Sequence, residues 1–388
     1  MKIFHISDLH IGKQLNYYSL KENQTAVLEQ VIEKMKEHRP DVLLIAGDIY
    51  DKAMPSGEAY KIFDLFLQQI SEITPIIPVF IIAGNHDSPE RLNYASSFME
   101  KHHIHISVMP PQQEDEYLKK VILEDAYGPV NFYFLPFMKP GYVRHLFPEQ
   151  DISDYEKAVR AVLEREEINF KERNVILSHQ FYQGQGWDTA TCDSEQVMLS
   201  IGGLDRIDIS LLENFDYAAL GHLHGPQQIK SERIRYSGSP LKYSVSEEHQ
   251  KKSITMITLG EKGSPLEVEL LPLRALQDVR SERGRLEAIL ERAKPGTLHD
   301  FISVTVTDET EPYRMKEQLR EIYDFILDIH IDNQRTRKKM EAKLEARENL
   351  SPKAAFGMFY EEIMNAPLGR EEEELLEKTL DRLTEERE

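Results

Sequence analysis

Five short apolar segments of this chain are each followed at once by side chains that can bind a metal ion. A buried strand of a parallel sheet reads as such a short Val/Ile/Leu-rich run, because both of its faces are covered. Sheets of this kind place their ligand sites beyond the carboxyl ends of the strands. The segments are Lys2–Ser7, Val42–Gly47, Val79–Gly84, Val175–Ser178 and Tyr217–Gly221.

The side chains after these segments are all carboxylates, imidazoles or amides. One such residue after an apolar run is commonplace, but five successive occurrences at the same end of a strand are hard to explain by packing alone. We therefore predict that the strand ends meet and form one two-metal site. The predicted ligands are Asp8, His10, Asp48, Asn85, His179, His222 and His224.

Composition limits the class of protein. A chain of 388 residues exceeds one core of ordinary size, so two or three domains are expected. Cys192 is the only cysteine, which excludes a disulfide framework and fits a reducing compartment. The strand pattern starts at Lys2 without a signal sequence, and no apolar stretch is long enough to span a bilayer. We expect a cytoplasmic protein without membrane contact.

The formal net charge of -20 argues against a protein that binds nucleic acid by bulk electrostatics. It leaves a phosphodiester substrate open, because bound cations would be the largest local charges in such a site. A basic cluster follows the last ligand pair, and a solvated face and a nucleic-acid contact are both open interpretations of it. The cluster comprises Lys230, Arg233, Arg235, Lys242, Lys251 and Lys252.

Apolar runs alternate with helical spacing through residues 1–275, which predicts an α/β layered domain. Leu28–Met35 and Ile62–Ile70 carry the helical patterns, and strand-like segments between Ser253 and Leu271 are predicted to close the same domain. Residues 276–345 predict a small α+β module. Its predicted elements are a charged helix Arg280–Ala293, a strand Phe301–Thr307, a helix near Arg314–Ile326 and a strand Ile329–Ile331.

Residues 346–388 are predicted to form a helical hairpin. Ser351-Pro352 supplies a cap and a first helical residue, and Pro367 with Gly369 would turn the chain. Each helix has one apolar stripe, which must bury against the chain's own small module or against a partner. The stripes are Phe356, Phe359 and Ile363 in the first helix and Leu376, Leu380 and Leu383 in the second.

The predicted ligand types indicate the metal and its chemistry. Seven ligands shared between two cations require one bridge, and a carboxylate is the natural bridging group. The small pairs Ala46-Gly47 and Ala83-Gly84 would let the backbone approach closely. Mixed imidazole, carboxylate and amide ligands favour Mn²⁺, Fe²⁺ or Zn²⁺ over an oxygen-only Mg²⁺ or Ca²⁺ site. Two metals about 3.5–4 Å apart would polarise a phosphate and stabilise both oxygens of an in-line displacement.

In chain order the motifs are Asp8-x-His10, Gly47-Asp48-x-x-Asp51, Gly84-Asn85-His86-Asp87, His179 and Gly221-His222-x-His224. They resemble the five motifs of the calcineurin-like metallophosphoesterases. More narrowly, KIFHISDLHIGK, RYSGSPLKYSVSE and the layout through the C-terminal helices resemble the SbcD family of nuclease subunits, within the Mre/Rad DNA-repair nucleases. The resemblance covers essentially the whole chain. It implies a four-layer metallophosphoesterase-type β-sandwich flanked by helices, then a small α+β capping domain and the helical hairpin.

The resemblance also implies roles for single residues. It makes His86 the catalytic histidine, which contacts the phosphate or protonates the leaving 3′-oxygen. Asp51 would orient His86 by a hydrogen bond, or would instead cap a helix entry. Asp87 is expected to cap or buttress its turn. One metal would be held by Asp8, His10, Asp48 and His224, and the other by Asp48, Asn85, His179 and His222.

By resemblance, the chain is an Mn²⁺-dependent DNA nuclease that cleaves DNA ends and hairpins in repair, recombination and replication. The alternative is a stand-alone phosphoesterase acting on phosphoproteins or small phosphodiesters. Against it, Lys52-Ala53-Met54 stands where protein phosphatases have an arginine, and residues 276–388 would have no evident task. A scaffold with a dead site is the third class, but every ligand position is filled by a competent residue.

The sequence and the resemblance also predict partners. The chain has no phosphate-cradling G-x-x-x-x-G-K-[ST] loop, so ATP dependence would come from another polypeptide. By resemblance this is SbcC, an SMC-like ATPase, in a heterotetramer with two copies of each subunit. A homodimer through Tyr60–Ile70 and Pro89–Lys101 is implied, with docking of the hairpin onto the coiled-coil root of the ATPase. The cellular location would be the cytoplasm, with nucleoid association through DNA.

Overall fold

The computed structural model describes residues 1–184, 186, 189–195, 206–293, 295–338, 351–364 and 366–385. The strands are β1 (Lys2–Ile6), β2 (Gln14–Leu15), β3 (Tyr18–Ser19), β4 (Val42–Ala46), β5 (Val79–Ile82), β6 (Ile104–Ser107), β7 (Lys119–Asp125), β8 (Gly128–Leu135), β9 (Arg173–His179), β10 (Tyr182–Gln183), β11 (Ile207–Asp208), β12 (Tyr217–Gly221), β13 (Gln227–Ile229), β14 (Ser231–Tyr236), β15 (Ser253–Thr258), β16 (Glu267–Pro272), β17 (Val279–Gly284), β18 (Phe301–Val306) and β19 (Phe325–Ile331). The α-helices are α1 (Lys21–His38), α2 (Gly57–Ser71), α3 (Pro89–Leu92), α4 (Ser96–Glu100), α5 (Pro140–Val143), α6 (Tyr155–Arg165), α7 (Leu286–Arg292), α8 (Met315–Arg320), α9 (Pro352–Met364) and α10 (Arg370–Glu385). Short 3₁₀ turns cover Arg144–Leu146, Ile209–Leu212, Val245–Glu247 and Pro295–Thr297.

Two six-stranded sheets contain all five strands that the apolar runs predict. The first has the order β16-β15-β1-β4-β5-β6, with β1, β4, β5 and β6 parallel and β15 and β16 antiparallel. The second has the order β13-β14-β12-β9-β8-β7, with antiparallel strands at both edges. The predicted closing strands are also confirmed, since β15 and β16 complete the first sheet.

The two sheets pack face to face between two layers of helices. Leu44 of β4 and Phe132 of β8 lie in the core between the sheets. Leu43 faces the other way and packs with Val31 of α1, while Val159 of α6 lies in the core on the outer face of the second sheet. Successive β4 residues thus bury on opposite faces, which explains its continuous apolar run. The predicted four-layer sandwich is confirmed.

The helical spacings before β4 and β5 are confirmed as α1 and α2. Helix α1 buries the predicted apolar positions and ends at His38, and Arg39 after it adopts left-handed backbone (φ 49°) directly before Pro40. Helix α2 begins after Ser56, whose hydroxyl accepts a hydrogen bond from the Ala59 N–H at 3.2 Å. Ser56 is therefore the cap at this helix entry, and the alternative that assigned this role to Asp51 is wrong.

The predicted charged helix Arg280–Ala293 is wrong in its first half. Residues Val279–Gly284 form β17, and only Leu286–Arg292 is helical. The helix predicted near Arg314–Ile326 is likewise shorter, because β19 already begins at Phe325. Strands β17, β18 and β19 form a three-stranded sheet in that order. Pairing with β18 outweighs the helical propensity of the charged residues, as tertiary context commonly does.

Contacts divide the described chain into two units. The first is Met1–Ser281 with Gly296–Ser303 and Tyr323–Leu327, and the second is Glu282–Pro295, Val304–Ile322 and Asp328–Glu388. The predicted boundary at 275/276 remains a prediction, and the one at 345/346 lies outside the described residues.

The predicted helical hairpin is present in the second unit as α9 and α10. The Ser351 hydroxyl accepts from the Ala354 N–H at 3.2 Å, which confirms the predicted cap. An ion pair between Lys353 and Glu377 joins the two helices. The side chain of Leu383 lies outside the described part of the chain. Among the described residues, no helix is both long and apolar enough to cross a bilayer.

Arg173, the first residue of β9, links the two sheets at the end of the strand away from His179. Its buried guanidinium donates to both carboxylate oxygens of Asp125, at 3.0 and 2.6 Å, and to the Gly260 carbonyl at 3.0 Å. Asp125 ends β7 of the second sheet, whereas Gly260 follows β15 of the first. The hydrogen bonds from Arg173 hold the pKa of Asp125 well below its usual range, although burial opposes this shift.

We predict that Asp125→Asn lowers the free energy of unfolding by about 1.5–3 kcal/mol at pH 7, the usual contribution of hydrogen bonds to a charged group. Because the folded-state pKa is lowered, this contribution is complete above the unfolded-state pKa of about 3.9. It is lost as the pH falls from there through the folded-state value. Urea unfolding at pH 7 and pH 3 tests this, and an equal deficit at both pH values would contradict it. Glu124→Gln, on an exposed neighbour, is the control.

Candidate metal centre

The predicted ligands lie where the carboxyl ends of strands from both sheets meet. Those from the first sheet follow β1, β4 and β5, and those from the second end β9 or follow β12. A buried hydrogen bond joins the sheets at this point, because His179 Nδ1 donates to the Ala46 carbonyl at 2.7 Å. The main-chain N–H of His222 also reaches across and donates to both Asp8 carboxylate oxygens at 3.1 Å.

Asp8, His10 and His224 form one group of potential ligands. Their ligand atoms all lie within 4.8 Å of one another. His10 Nε2 is 3.1 Å from His224 Nε2. All three residues are at most 2% exposed. The structure therefore brings together three of the four residues predicted for the first metal.

A second group surrounds Asn85. Its Oδ1 atom is 3.0 Å from His179 Nε2 and 3.0 Å from His222 Nδ1. Asp48 lies between the two groups, since its Oδ2 atom is 3.4 Å from His179 Nε2 and 3.5 Å from His10 Nε2. Asp48 thus contacts a histidine of each group, which is the position that a bridging ligand requires.

The donor atoms of this site fit divalent cations. His10 Nε2 and His224 Nε2 face each other, so without a cation one ring must donate its N–H to the other, whereas a cation can accept the lone pairs of both. His10 Nδ1 is buried and has no hydrogen-bond partner among the described residues. The donors are imidazole nitrogen, carboxylate oxygen and amide oxygen, a set that suits Mn²⁺, Fe²⁺ or Zn²⁺.

Four of the eleven described non-glycine residues with left-handed backbone belong to this site. Asp8, His10, Asp48 and His222 have φ values of 54°, 42°, 52° and 103°. Residues other than glycine rarely adopt such backbone, and each instance costs about 1–3 kcal/mol. Strain of this kind persists where function requires a particular side-chain direction, so it supports a functional role for the cluster.

The predicted close approach at two glycines is confirmed. A Cβ atom built on Gly84 would overlap the carboxylate and main-chain nitrogen of Asp48. A Cβ atom on Gly47 would overlap the His179 ring, and Gly47 also has left-handed backbone (φ 91°). Any larger residue at either position would displace a predicted ligand.

The buried charges of the site shift one another's pKa values. Burial raises the pKa of Asp8 to about 6, against the opposing charges of His179 and His224. Burial alone would raise the pKa of Asp48, but the charge and hydrogen bond of His179 hold it well below its usual range. Burial alone would lower the pKa of His179, but Asp48 raises it to about 9. A cation binding at His179 must displace a proton, so metal affinity is expected to fall with falling pH.

His86 lies beside the ligands and is less buried than most of them. Its ring is 4.7 Å from the His10 ring, and its Nδ1 donates to the main-chain carbonyl of Asp51 at 2.8 Å. The prediction gave this orienting role to the Asp51 carboxylate, whereas the structure gives it to the carbonyl. The carboxylate accepts instead from Lys13 Nζ at 2.8 Å.

Asp87 buttresses its turn, as predicted. Its carboxylate is buried and accepts hydrogen bonds from the main-chain N–H groups of Ile49, Tyr50 and Gly84, at 2.9–3.1 Å. These bonds hold the loops after β4 and β5 together. Burial raises the pKa of Asp87 to about 6.

Several residues that contact the ligands were not predicted. Ser194 Oγ is 2.7 Å from His224 Nδ1, and Glu247 Oε1 is 3.6 Å from the same atom. Glu247 lies in the RYSGSPLKYSVSE segment, so the family resemblance of that segment could have indicated it. No sequence pattern indicated Ser194. The basic cluster after the last ligand pair is not one solvent-facing surface, because Arg235 and Lys252 are buried.

Comparison with known families agrees with this geometry. Residues 1–226 match a family model described as calcineurin-like phosphoesterase. Residues 272–363 match one described as type 5 capsule protein repressor C-terminal domain. The chain belongs to the calcineurin-like phosphoesterase family.

Within that family the chain belongs with the nuclease subunits of SbcCD complexes. It is 33% identical over 330 residues to the SbcD nuclease subunit of the SbcCD complex from Staphylococcus epidermidis, which covers 84% of each sequence. Two solved structures show lower similarity. A putative 5′-nucleotidase from Staphylococcus aureus has a TM-score of 0.40 and 12% identity, covering 71% of this chain but only 54% of that one. A dimetal phosphatase from Danio rerio has a TM-score of 0.38 and 12% identity, covering 71% of this chain and 96% of that one.

We predict that Gly84→Ala abolishes stabilisation of the chain by metal, because the new methyl group would displace Asp48. The wild-type chain should unfold at a higher temperature when Mn²⁺ is added, since a ligand that binds only the folded state stabilises it. The variant should show no such increase in thermal scans with and without Mn²⁺. Gly57→Ala is the control, because nothing lies within 4 Å of a Cβ atom there. If Mn²⁺ raised the unfolding temperature of Gly84→Ala as much as that of the wild type, the predicted position of Asp48 as a metal ligand would be contradicted.

Proposed function

We propose that this chain is a two-metal DNA nuclease and acts as the nuclease subunit of an SbcCD-type complex. The convergence of seven donor residues from five strand ends, with Asp48 between the two groups, carries the proposal. The similarity to an SbcD nuclease subunit over most of both sequences directs it from phosphate esters in general to DNA. Its role would lie in repair, recombination and replication of DNA in the cytoplasm, with nucleoid association through the substrate.

Two divalent cations, which we propose to be Mn²⁺, would be held by the residues described above. Asp8, His10 and His224 would hold one, Asn85, His179 and His222 the other, and Asp48 would bridge. Bound cations of this kind neutralise the charge that develops on a phosphodiester during in-line displacement. A site with these charges accounts for a phosphodiester substrate despite the net charge of -20.

The chain's own residues would supply orientation and a proton. The bond from His86 Nδ1 to the Asp51 carbonyl fixes the imidazole and leaves Nε2 as its other polar atom. When the ring is doubly protonated, Nε2 also carries a hydrogen, which can bond to the phosphate or pass to the leaving 3′-oxygen. Asp87 would keep the His86 loop in register with the Asp48 loop through its three main-chain hydrogen bonds.

The direct test is incubation of the purified chain, alone and with its ATPase partner, with Mn²⁺ and DNA of defined ends. We expect cleavage of duplex ends and single strands, and complete loss of cleavage with a chelator. A generic phosphomonoester, a phosphoprotein and a cyclic nucleotide should be poor substrates. Rapid turnover of any of these, with DNA left intact in the presence of the partner, would instead indicate a stand-alone phosphoesterase.

We further predict that metal binding and catalysis separate in two variants. Asp48→Ala should lose both metals, because it removes the shared ligand. His86→Ala should keep both metals and lose about 10²–10⁴-fold in the rate of DNA cleavage, the usual contribution of one acid–base group. Elemental analysis and single-turnover cleavage measure the two properties. A His86→Ala chain that is metal-free or fully active contradicts its role.

The hairpin of α9 and α10 is the proposed docking element for the SMC-like ATPase. Its stripe residues Phe356, Phe359 and Ile363 are all exposed, with Phe359 at 57%. An exposed apolar stripe on a helix is the usual anchor for a helix-in-groove contact. Two nuclease and two ATPase chains would form the complete complex.

We predict that Phe359→Glu, or truncation after residue 345, abolishes co-purification with the ATPase. Metal content and basal nuclease activity should be unchanged, because the site lies in the first unit. Glu361→Gln, at an exposed position of the same helix, is the control. Binding of the partner at full affinity, or misfolding of the truncated chain, would mean that the hairpin has another role.

A homodimer through the surface of α2, α3 and α4 completes the proposed assembly. Leu65, Tyr94 and Phe98 are exposed there, with Phe98 at 65%. Most other apolar residues of α2 are buried in the chain's own core, so these exposed side chains are the ones available for a second copy. Sedimentation of the chain without its ATPase partner would measure whether it is a monomer or a dimer.

A further inference from the structure

A chain of hydrogen bonds leads from His224 to a buried ion pair. His224 Nδ1 is 2.7 Å from Ser194 Oγ, and the Ser194 hydroxyl donates to Glu247 Oε1 at 2.5 Å. The other Glu247 oxygen accepts from Lys252 Nζ at 2.6 Å. Glu247 and Lys252 are both buried. These residues lie behind His224, whose Nε2 faces His10.

The chemistry of these groups fixes the direction of each hydrogen bond. A carboxylate bonded to an ammonium is ionised and can only accept, so the Ser194 hydroxyl hydrogen points to Glu247. Ser194 Oγ must then accept from the Nδ1–H of His224. A neutral imidazole has a single N–H, so His224 Nε2 keeps its lone pair. The chain thus selects the tautomer that binds a metal through Nε2.

Lys252 and a further residue, Glu195, also hold the main chain of His224. Lys252 Nζ donates to the His224 carbonyl at 2.8 Å, and the His224 N–H donates to Glu195 Oε1 at 2.6 Å. Ring, carbonyl and N–H of His224 are therefore all held by side chains. Such anchoring restricts the imidazole to one direction, as carboxylate-linked histidines show in metal sites generally.

A contribution to folding stability does not by itself explain why Glu247 and Lys252 form a buried ion pair. Removing two charges from water is expensive, and apolar residues of similar volume are often as stabilising as a buried pair. A buried Glu247–Lys252 pair is better explained by what it holds. The Lys252 ammonium also donates to Ser239 Oγ at 2.8 Å and to Gln250 Oε1 at 2.7 Å, so its position is fixed from several sides.

We propose that Glu247 is a positioning residue for the metal ligand His224. It acts through Ser194, and Lys252 is its counter-ion. The inference rests on the proposed function in one respect, namely that His224 binds a metal. Glu247 does not contact the substrate in this role, and its effect is on the affinity of one metal.

Three variants test the proposal. Ser194→Ala removes the link and leaves the ion pair intact. Glu247→Gln keeps the shape of the side chain and removes its charge. Glu247→Gln with Lys252→Met removes both charges, so a loss of folding from an unpaired buried ammonium cannot obscure the result. Glu166→Gln is the matched control, because Glu166 is half-buried and accepts a main-chain N–H from Leu118 away from the site.

The main measurement is Mn²⁺ binding by calorimetry in the absence of DNA. We expect all three variants to bind one of the two Mn²⁺ ions about 10–100-fold more weakly, the usual effect of losing a residue that orients a ligand. The second ion and the Glu166→Gln control should be unchanged. DNA cleavage by the variants should approach the wild-type rate at saturating Mn²⁺. Wild-type affinity for both ions in Ser194→Ala and in the folded double variant would overturn the proposal, as would equal weakening of both ions.

Binding and cleavage outcomes separate this inference from the proposed function. A chain whose Mn²⁺ affinity depends on Glu247 but that leaves DNA intact supports the positioning role and contradicts the nuclease. A chain that cleaves DNA with Mn²⁺ affinity indifferent to Glu247 supports the nuclease and contradicts the positioning role.

Discussion

The approach of the two sheets at their carboxyl ends is the constraint on which the site depends. The hydrogen bond from His179 to the Ala46 carbonyl and the bonds from the His222 N–H to Asp8 cross between the sheets. The approach needs glycine at this point, since a Cβ on Gly47 would overlap His179. Neither sheet alone supplies a full set of donors. The chemistry of the site is therefore a property of the sandwich and not of one sheet.

The predicted metal site and the exposed apolar stripe lie in different units of the chain. All seven predicted ligands lie in the first unit, together with His86 and the residues that hold His224. The second unit contains the exposed stripe of α9. The predicted metal ligands and the proposed partner-binding stripe thus lie in different units of the chain.

The sequence predicted the strand ends well because two strong signals coincide there. A run such as Val42–Ala46 is apolar on both faces, and the polar residue that follows it cannot belong to the same buried strand. The residues around His224 were less predictable, because Ser194 and Glu247 reach it from distant parts of the sequence. β17 was missed for a related reason, since its pairing with β18 overrides a helical pattern of charges. Local sequence patterns locate the ligand residues at the strand ends. The side chains that orient those ligands come from distant parts of the sequence and depend on tertiary contacts.

The left-handed backbone at Asp8, His10, Asp48 and His222 has a consequence for how this fold can change. Glycine or asparagine would relieve the backbone strain at each position, although glycine also gives the unfolded chain more conformational freedom, which offsets part of the gain. Selection for activity and selection for stability therefore oppose each other at these four positions. A relative without metal at this site would be free of that opposition, and glycine in place of Asp8 or Asp48 is a change by which its backbone could relax while the fold is kept.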